Sequence, residues 1–321
     1  MAKVIIGIHG LCNKVEKNKL EEWWKKSIEE GLNINLDNNH SKFKFKMVYW
    51  ADLLYDKPLE ESIKDKKHKL YLNEPYIPQE HDFIPEQSPV RKKVLDYLQL
   101  KLDKILLNDD LSTNYSLLTN KIVEKKFGDL ATYYSNEEKR NAVRERLASE
   151  LRKHKKDNIL LLTHSMGTII SYEVLSFLCP DIKIDTLITI GSPLGFPLIK
   201  ARIATEMNIK NKVDMNLKTP ENINKDWFNL ADINDNVAMG YKLSNDYLAN
   251  SNNVSVIDYQ VHNDYIFNGE RNYHKSFGYL RTPELTNIVY KFIKTKRHPL
   301  VEKIIKLVKK SMSILKNKIN R

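Results

Sequence analysis

A short apolar run that passes directly into a helix constrains the fold of this chain more than any other feature. Residues 158–168 read Asn-Ile-Leu-Leu-Leu-Thr-His-Ser-Met-Gly-Thr, which predicts a buried strand, a sharp turn at Ser165 and the start of a helix. A serine at the tip of such a turn is held clear of the sheet, above the positive end of the helix. Gly167 provides the room that the crossing backbone needs. An ordinary turn containing Ser and Gly has the same pattern, so a chemical role for the serine requires partners elsewhere in the chain.

Strand-like and helix-like segments alternate along the rest of the chain. The apolar patterns predict strands at 4–8, 43–50, 182–190, 227–230 and 254–259, and helices at 19–32, 136–155 and 283–293. Strands that alternate with helices are typical of a mostly parallel sheet with helices on both faces. The sequence therefore predicts an α/β fold over residues 1–295.

Two stretches interrupt this alternation. In residues 57–135, Pro75, Pro78 and Pro85 break an irregular segment, and a strong helical pattern then begins at Ser88. We interpret this stretch as a helical cap insertion, and residues 196–225 as a second, irregular insertion. A large apolar cap is typical of an enzyme with a hydrophobic substrate.

Composition excludes several classes of protein. No apolar run approaches the ~18 to 20 residues that span a bilayer, and the first predicted strand starts too early to leave room for a signal peptide. The only cysteines are Cys12 and Cys179, too few for a disulfide framework or a thiolate metal site. The histidines without an assigned role have no ligand-like spacing. These features predict a cytoplasmic protein with no metal and no cofactor.

The net charge of +11 is concentrated at the C-terminal end. Residues 291–321 contain eleven Lys or Arg side chains and a single acid, Glu302, so the rest of the chain is nearly balanced and no nucleic-acid partner is expected. Residues 298–321 form a basic amphipathic helical pattern. Such a helix binds an anionic membrane surface, here the inner face, or packs on the body or on a second copy of the chain. The sequence leaves these readings, and the oligomeric state, open.

Serine becomes a good nucleophile when a histidine takes its proton and an acid orients that histidine. Asp235 precedes Asn-Val-Ala in a predicted turn and is preferred as the acid, with Asp232 as the alternative. His274 lies beyond the last strand and is preferred as the base over His262. His164, next to the serine, is expected to be a packed core histidine.

Acyl transfer also needs donors for a developing oxyanion. One is expected to be the backbone N–H of Met166, which follows the serine. The second is expected from the loop after the first strand, with Leu11 N–H preferred. In that loop His9 and Gly10 are supporting residues, and Cys12 is expected to be a small buried neighbour.

Taken together, these motifs resemble the α/β-hydrolase family, in particular its lipase- and esterase-like members. The resemblance covers residues 1–295 and is carried by Ile8-His-Gly-Leu, Thr163-His-Ser-Met-Gly, Gly191-Ser-Pro-Leu-Gly, Asp235-Asn-Val-Ala and Tyr273-His-Lys-Ser-Phe-Gly-Tyr-Leu. It implies a mostly parallel sheet lacking the family's first two strands, with Ser165 as nucleophile, Asp235 as acid and His274 as base. Thr163 is a departure, because the family usually has glycine there.

The sequence therefore predicts a serine esterase that acts on lipid-like or medium-chain acyl esters through an acyl-enzyme on Ser165. A thioesterase, an acyltransferase or a peptidase would use the same residues. A catalytically silent binding module, with the cap or the tail as its partner surface, is the alternative outside enzymes.

Overall fold

The computed structural model describes residues 2–37, 42–79, 121–207, 217–238 and 242–295. The elements in these ranges follow in chain order: β1 (Lys3–Ile8), α1 (Lys17–Leu36), β2 (Phe45–Val48), α2 (Lys121–Ser135), α3 (Glu137–Lys153), β3 (Asn158–His164), α4 (Met166–Glu173), β4 (Ile184–Ile190), α5 (Pro197–Glu206), β5 (Leu217–Lys218), β6 (Ile223–Asp232), β7 (Tyr247–Leu248), β8 (Val256–Val261), β9 (Ile266–Phe267), β10 (Glu270–Arg271), α6 (Ser276–Leu280) and α7 (Pro283–Lys294).

Six strands form a central sheet in the order β2-β1-β3-β4-β6-β8, and every neighbouring pair is parallel. The short strands make two small separate sheets, β5 with β7 and β9 with β10. The predicted α/β architecture with a mostly parallel sheet is confirmed. Since all six strands run in one direction, their carboxyl ends share one edge of the sheet, where ligands bind in open parallel sheets.

Helices cover both faces of the sheet. Successive side chains of a strand point to opposite faces, and in β1 this sends Val4 and Ile6 into one core and Ile5 into the other. The first core is closed by α3, α4 and α5, and the second by α1, α6 and α7. This two-layer burial explains why the central strands read as nearly continuous apolar runs.

The predicted elements are present, with some different limits. The strand predicted at 43–50 ends at Val48, because the N–H of Trp50 donates to the side chain of His9 instead of to a neighbouring strand (3.1 Å). The strand predicted at 227–230 is longer and spans Ile223–Asp232, since β4 and β8 pair with it on both sides. The predicted helix start at Asn136 is confirmed, and its side chain accepts the N–H of Lys139.

The prediction of a wholly irregular insertion at 196–225 was wrong. Residues Pro197–Glu206 form α5, in which proline occupies the first turn, where its missing N–H has no helical partner. The buried Ile199 and Ile203 attach this helix to the first core. Residues 208–216 of the same stretch lie outside the described ranges.

The predicted cap at 57–135 is described at its two ends only. Residues 57–79 form turns and one isolated bridge, between Glu60 and Tyr71, so this part is not helical. The end of the stretch is α2, whereas the helix predicted from Ser88 and the basic tail at 298–321 lie outside the described residues. Among the helices that are described, none combines the length and apolar character needed to cross a membrane.

Candidate active site

Ser165 occupies a strained turn between β3 and α4. Its φ of 54° lies in a region that non-glycine residues rarely adopt, at a cost on the order of 1–3 kcal/mol. Glycines make the turn possible: a Cβ on Gly10 would lie 2.5 Å from the Cβ of Ser165, and one on Gly167 would lie 2.8 Å from the carbonyl oxygens of Ile8 and His9. The close approach of β1 and the serine turn therefore depends on both glycines.

The structure brings Ser165, His274 and Asp235 together as a hydrogen-bonded chain. Ser165 Oγ lies 2.9 Å from His274 Nε2, and His274 Nδ1 lies 2.8 Å from Asp235 Oδ2. Because the carboxylate can only accept, Nδ1 carries the proton and Nε2 is left to accept the serine hydroxyl. This is the arrangement in which an imidazole can take the proton of an attacking hydroxyl.

The Asp235 carboxylate is buried and fully engaged. Oδ1 accepts the N–H of Val237 at 2.8 Å, and Oδ2 accepts the Tyr279 hydroxyl at 2.8 Å. The alternative acid, Asp232, does not reach His274. Its carboxylate instead accepts the backbone N–H groups of Asn234 and Asn263, which fixes the turn that carries Asp235.

The loop bearing His274 is held by side chains on both sides of it. Asn272 accepts the N–H of His274 at 2.9 Å, and the buried amide of Asn263 donates to the carbonyls of Tyr273 and Lys275. His164 Nε2 donates to the carbonyl of His274 at 2.8 Å. His164 is buried as predicted, and it also supports the loop of the candidate base.

His9 fixes the peptide that precedes Leu11. Its Nε2 accepts the N–H of Trp50 at 3.1 Å, so Nδ1 carries the proton and donates to the carbonyl of Gly10 at 2.9 Å. The ring also stacks on Trp50, with centroids 4.7 Å apart. In a trans peptide the C=O and N–H point in opposite directions. Clamping the Gly10 carbonyl therefore sets the direction of the Leu11 N–H.

The next peptide is held by Lys14. The lysine Nζ donates to the carbonyl of Leu11, and to that of Cys12 at 2.8 Å. Cys12 itself has a φ of 71°, an unusual left-handed conformation for a side chain with a Cβ. Its side chain is exposed at the cleft, so the expectation of a buried cysteine was wrong. The loop is buried at His9 and Gly10 but reaches the surface at Cys12.

Two backbone N–H groups remain for a ligand. Met166 is the first residue of α4, where an N–H has no partner within the helix. Within the described ranges, no hydrogen bond from Leu11 N–H or from Met166 N–H to another loop or side chain is found. Met166 directly follows Ser165, and Leu11 follows Gly10, where a Cβ would lie 2.5 Å from Ser165 Cβ, so both residues are close to the Ser165 turn.

Both histidines packed around the site are held neutral. Burial lowers the pKa of His9 well below its usual value, with the nearby Lys14 adding to the effect. Burial, followed by the neighbouring His274, likewise lowers the pKa of His164. A positive charge on His164 would lie 4.7 Å from the His274 ring and would repel a positive charge there.

The hydroxyl of Ser165 faces a cleft of about 500 Å³. Its lining includes the apolar side chains of Val15, Leu20, Trp23, Leu59, Leu72 and Phe277. Charged side chains also line it, among them Lys14, Glu74 and Lys275. The cleft can therefore take a molecule with an apolar part and place its polar end at the serine.

Sequence reasoning missed the residues that support the site. Tyr279 lies on α6, five residues beyond the predicted base, and was predicted only as part of the motif that carries that base. Asn263 directly follows the rejected His262, which does not join the site. Gly191 has a φ of 54°, and a Cβ there would lie 3.0 Å from Asp235 Oδ2 and 3.1 Å from His274 Cε1. A glycine at the end of a predicted strand was the one available signal.

Within the part of the chain that the structure describes, no group of three or more His, Cys, Asp or Glu side chains is arranged to hold a metal ion. No protein-family model matches the chain, and no curated protein matches its sequence. Any functional assignment therefore depends on the site itself.

Proposed function

We propose that this protein is a serine hydrolase of the α/β-hydrolase family that cleaves carboxylic esters through an acyl-enzyme on Ser165. The observation that supports it most strongly is the hydrogen-bonded chain from Ser165 Oγ through His274 to Asp235, with distances of 2.9 and 2.8 Å. Three side chains from separate loops meet at the carboxyl edge of one parallel sheet. Such convergence satisfies what nucleophilic catalysis by serine requires.

In the proposed first step, Ser165 Oγ attacks the ester carbonyl carbon while His274 Nε2 takes the hydroxyl proton. The imidazolium that forms is stabilised by the Asp235 carboxylate, which remains ionised. As the tetrahedral intermediate collapses, His274 returns the proton to the leaving alcohol. The acyl group then remains on Ser165 as an ester.

The negative charge that develops on the carbonyl oxygen needs fixed donors. The N–H groups of Leu11 and Met166 are proposed for this role, with the positive end of α4 behind Met166. His9 would hold the first of them in place through the Gly10 carbonyl. Neither donor would have to reorganise during the reaction, because its peptide is already fixed.

In the second step, water attacks the acyl-enzyme while His274 takes a proton from it. A second tetrahedral intermediate forms at the same two N–H groups. Its collapse releases the carboxylic acid, and the proton on His274 returns to Ser165 Oγ. The cycle consumes one water and needs no metal or redox cofactor.

The apolar part of the cleft lining favours a substrate with a hydrocarbon acyl chain. Its six apolar side chains named above come from the loop before α1, from α1, from residues 57–79 and from α6. Burying a methylene group there stabilises the complex by ~0.8 kcal/mol. We therefore propose lipid-like or medium-chain acyl esters as substrates, and expect kcat/KM to rise with chain length until the cleft is filled.

The test is labelling by a fluorophosphonate probe followed by hydrolysis of p-nitrophenyl esters of increasing chain length. The parent protein should be labelled at Ser165 and should turn over the esters, and Ser165→Ala should do neither. Ser171→Ala is the matched control, since Ser171 is buried in the same helix and its hydroxyl makes no hydrogen bond among the described residues. A folded parent protein that the probe does not label would overturn the proposal and favour a silent binding module.

A further inference from the structure

Two carboxylates outside the hydrogen-bonded chain each hold one loop of the candidate active site. Asp129 lies on α2, and Glu74 lies in the non-helical segment 57–79. Both belong to the stretch that the sequence predicts as a cap. Neither was expected from the sequence to contribute to the site.

Asp129 acts on the loop that carries Leu11. Its Oδ2 accepts the N–H of Cys12 at 2.6 Å, while its Oδ1 accepts the Tyr55 hydroxyl at 2.6 Å. The peptide between Leu11 and Cys12 is thus held from both sides, by Asp129 at its N–H and by Lys14 at its carbonyl. Since Cys12 is in a left-handed conformation, this turn needs such support to persist.

Glu74 acts on the loop that carries His274. Its Oε1 accepts the side-chain N–H of Asn272 at 2.6 Å, and its Oε2 pairs with Lys275 Nζ at 3.0 Å. The other end of the Asn272 amide accepts the N–H of His274. Glu74 therefore orients the side chain that fixes the backbone of the candidate base.

The two carboxylates also meet in one electrostatic network. Asp129 and Glu74 both attract the ammonium of Lys14, which Lys275 repels. Charges of alternating sign thus interact from Asp129 through Lys14 and Glu74 to Lys275, and the last three of these side chains line the cleft. Each carboxylate also holds a loop of the candidate site, Asp129 through the N–H of Cys12 and Glu74 through Asn272.

We infer that Asp129 and Glu74 are positioning residues, Asp129 for the Leu11 N–H and Glu74 for the His274 imidazole. The inference rests on the proposed hydrolase function. The predicted cap is then part of the scaffold that aligns the reacting groups, in addition to lining the cleft. A displacement of about 1 Å at such groups lowers turnover roughly 100-fold.

The experiment compares Asp129→Ala and Glu74→Ala with the conservative Asp129→Asn and Glu74→Gln. Asn retains an oxygen for the Cys12 N–H, and Gln retains one for Asn272. We expect both alanine variants to lower kcat for a short p-nitrophenyl ester about 10- to 100-fold with KM changed less than about threefold. The conservative variants should recover most of the loss. Glu74→Ala should also shift the pH profile of kcat, because Glu74, unlike Asp129, holds the loop that carries the candidate base.

Glu138→Ala is the control, since it removes an exposed carboxylate from the first turn of α3 without touching either loop. Circular dichroism and thermal melts establish which variants are folded at the assay temperature. If folded alanine variants keep the parent kcat, the inference is wrong, and the same holds if the conservative variants are as impaired as alanine. A parent protein that neither hydrolyses esters nor reacts with the fluorophosphonate would instead overturn the proposed function.

Discussion

The hydroxyl of Tyr279 lies 2.8 Å from Oδ2 of Asp235, the same carboxylate oxygen that faces His274. The hydroxyl donates to this oxygen and accepts the backbone N–H of Asp232 at 2.9 Å. One buried phenol on α6 therefore connects the turn at the end of β6 to the carboxylate that orients the imidazole. Burial, and then the charge of Asp235, raises the pKa of Tyr279 well above its usual value, so the phenol remains a donor.

Replacing this phenol tests whether the link matters for turnover. Tyr279→Phe removes a hydrogen bond to a charged group and leaves the buried Asp232 N–H without its acceptor. We expect kcat for ester hydrolysis to fall roughly 10-fold and the free energy of unfolding to fall by about 1–3 kcal/mol. Tyr290→Phe, on the partly exposed side of α7, should change neither quantity. Equal activity of the two variants in steady-state assays would contradict the role of Tyr279.

The same substitution at each of the two candidate acids distinguishes their roles. Asp235→Asn cannot hold the Nδ1 proton of His274 in the same way, so we expect kcat to fall roughly 10⁴-fold. Asp232→Asn should act mainly on stability, because its carboxylate accepts two backbone N–H groups and does not touch the imidazole. Kinetics and thermal melts of both variants give the comparison. A greater loss of kcat in Asp232→Asn would reverse the assignment.

Gly191 offers a steric test with a matched control. It shares a positive φ with Gly269, at 54° and 78° respectively, so alanine imposes backbone strain at either position. At Gly191 the new methyl would also lie about 3 Å from Asp235 and His274, whereas at Gly269 no atom lies within 4 Å. We expect Gly191→Ala to lose at least ~100-fold in kcat and Gly269→Ala to keep the parent rate. Similar rates in both variants would show that the contact is unimportant.

The architecture was predictable because its signals are local. Buried parallel strands are short apolar runs such as 159–162, and amphipathic helices follow several of them, so the α/β class and most elements could be predicted from the sequence. The helix at Pro197–Glu206 was missed, because residues 196–225 as a whole were interpreted as an irregular insertion. Its core contacts through Ile199 and Ile203 are long-range, and no local pattern encodes them.

The candidate reacting residues were predictable from their order along the chain, since each follows a strand at one edge of the sheet. The residues that support them were not predictable from the sequence. Asn263 and Glu74 reach the site from loops and Asp129 reaches it from α2, and each approach depends on tertiary packing. An asparagine or a glutamate in a loop carries no signal that separates it from a solvated one. The supporting hydrogen bonds therefore emerge only from coordinates.

Lys14 provides a prediction in which activity and stability respond to pH in opposite directions. Burial, and then repulsion by Lys275, lowers its pKa from 10.5 to about 8, although Cys12, Asp129 and Glu74 oppose the shift. Above pH 8 the folded protein loses the charge that holds the carbonyls of Leu11 and Cys12, so kcat should fall. Between pH 8 and 10.5 the unfolded chain binds more protons than the folded one, so the contribution of Lys14 to stability should rise.

The measurement compares the parent protein with Lys14→Met. In this variant neither kcat nor stability can respond to titration at position 14. Across pH 7.5 to 10 (the range set by the lowered pKa of about 8), the parent should lose kcat relative to Lys14→Met while its free energy of unfolding, from urea melts, rises relative to that variant. The opposite signs separate titration of Lys14 from general alkaline unfolding, which would lower both quantities together. Parallel profiles in the two proteins would exclude Lys14 as the group that titrates.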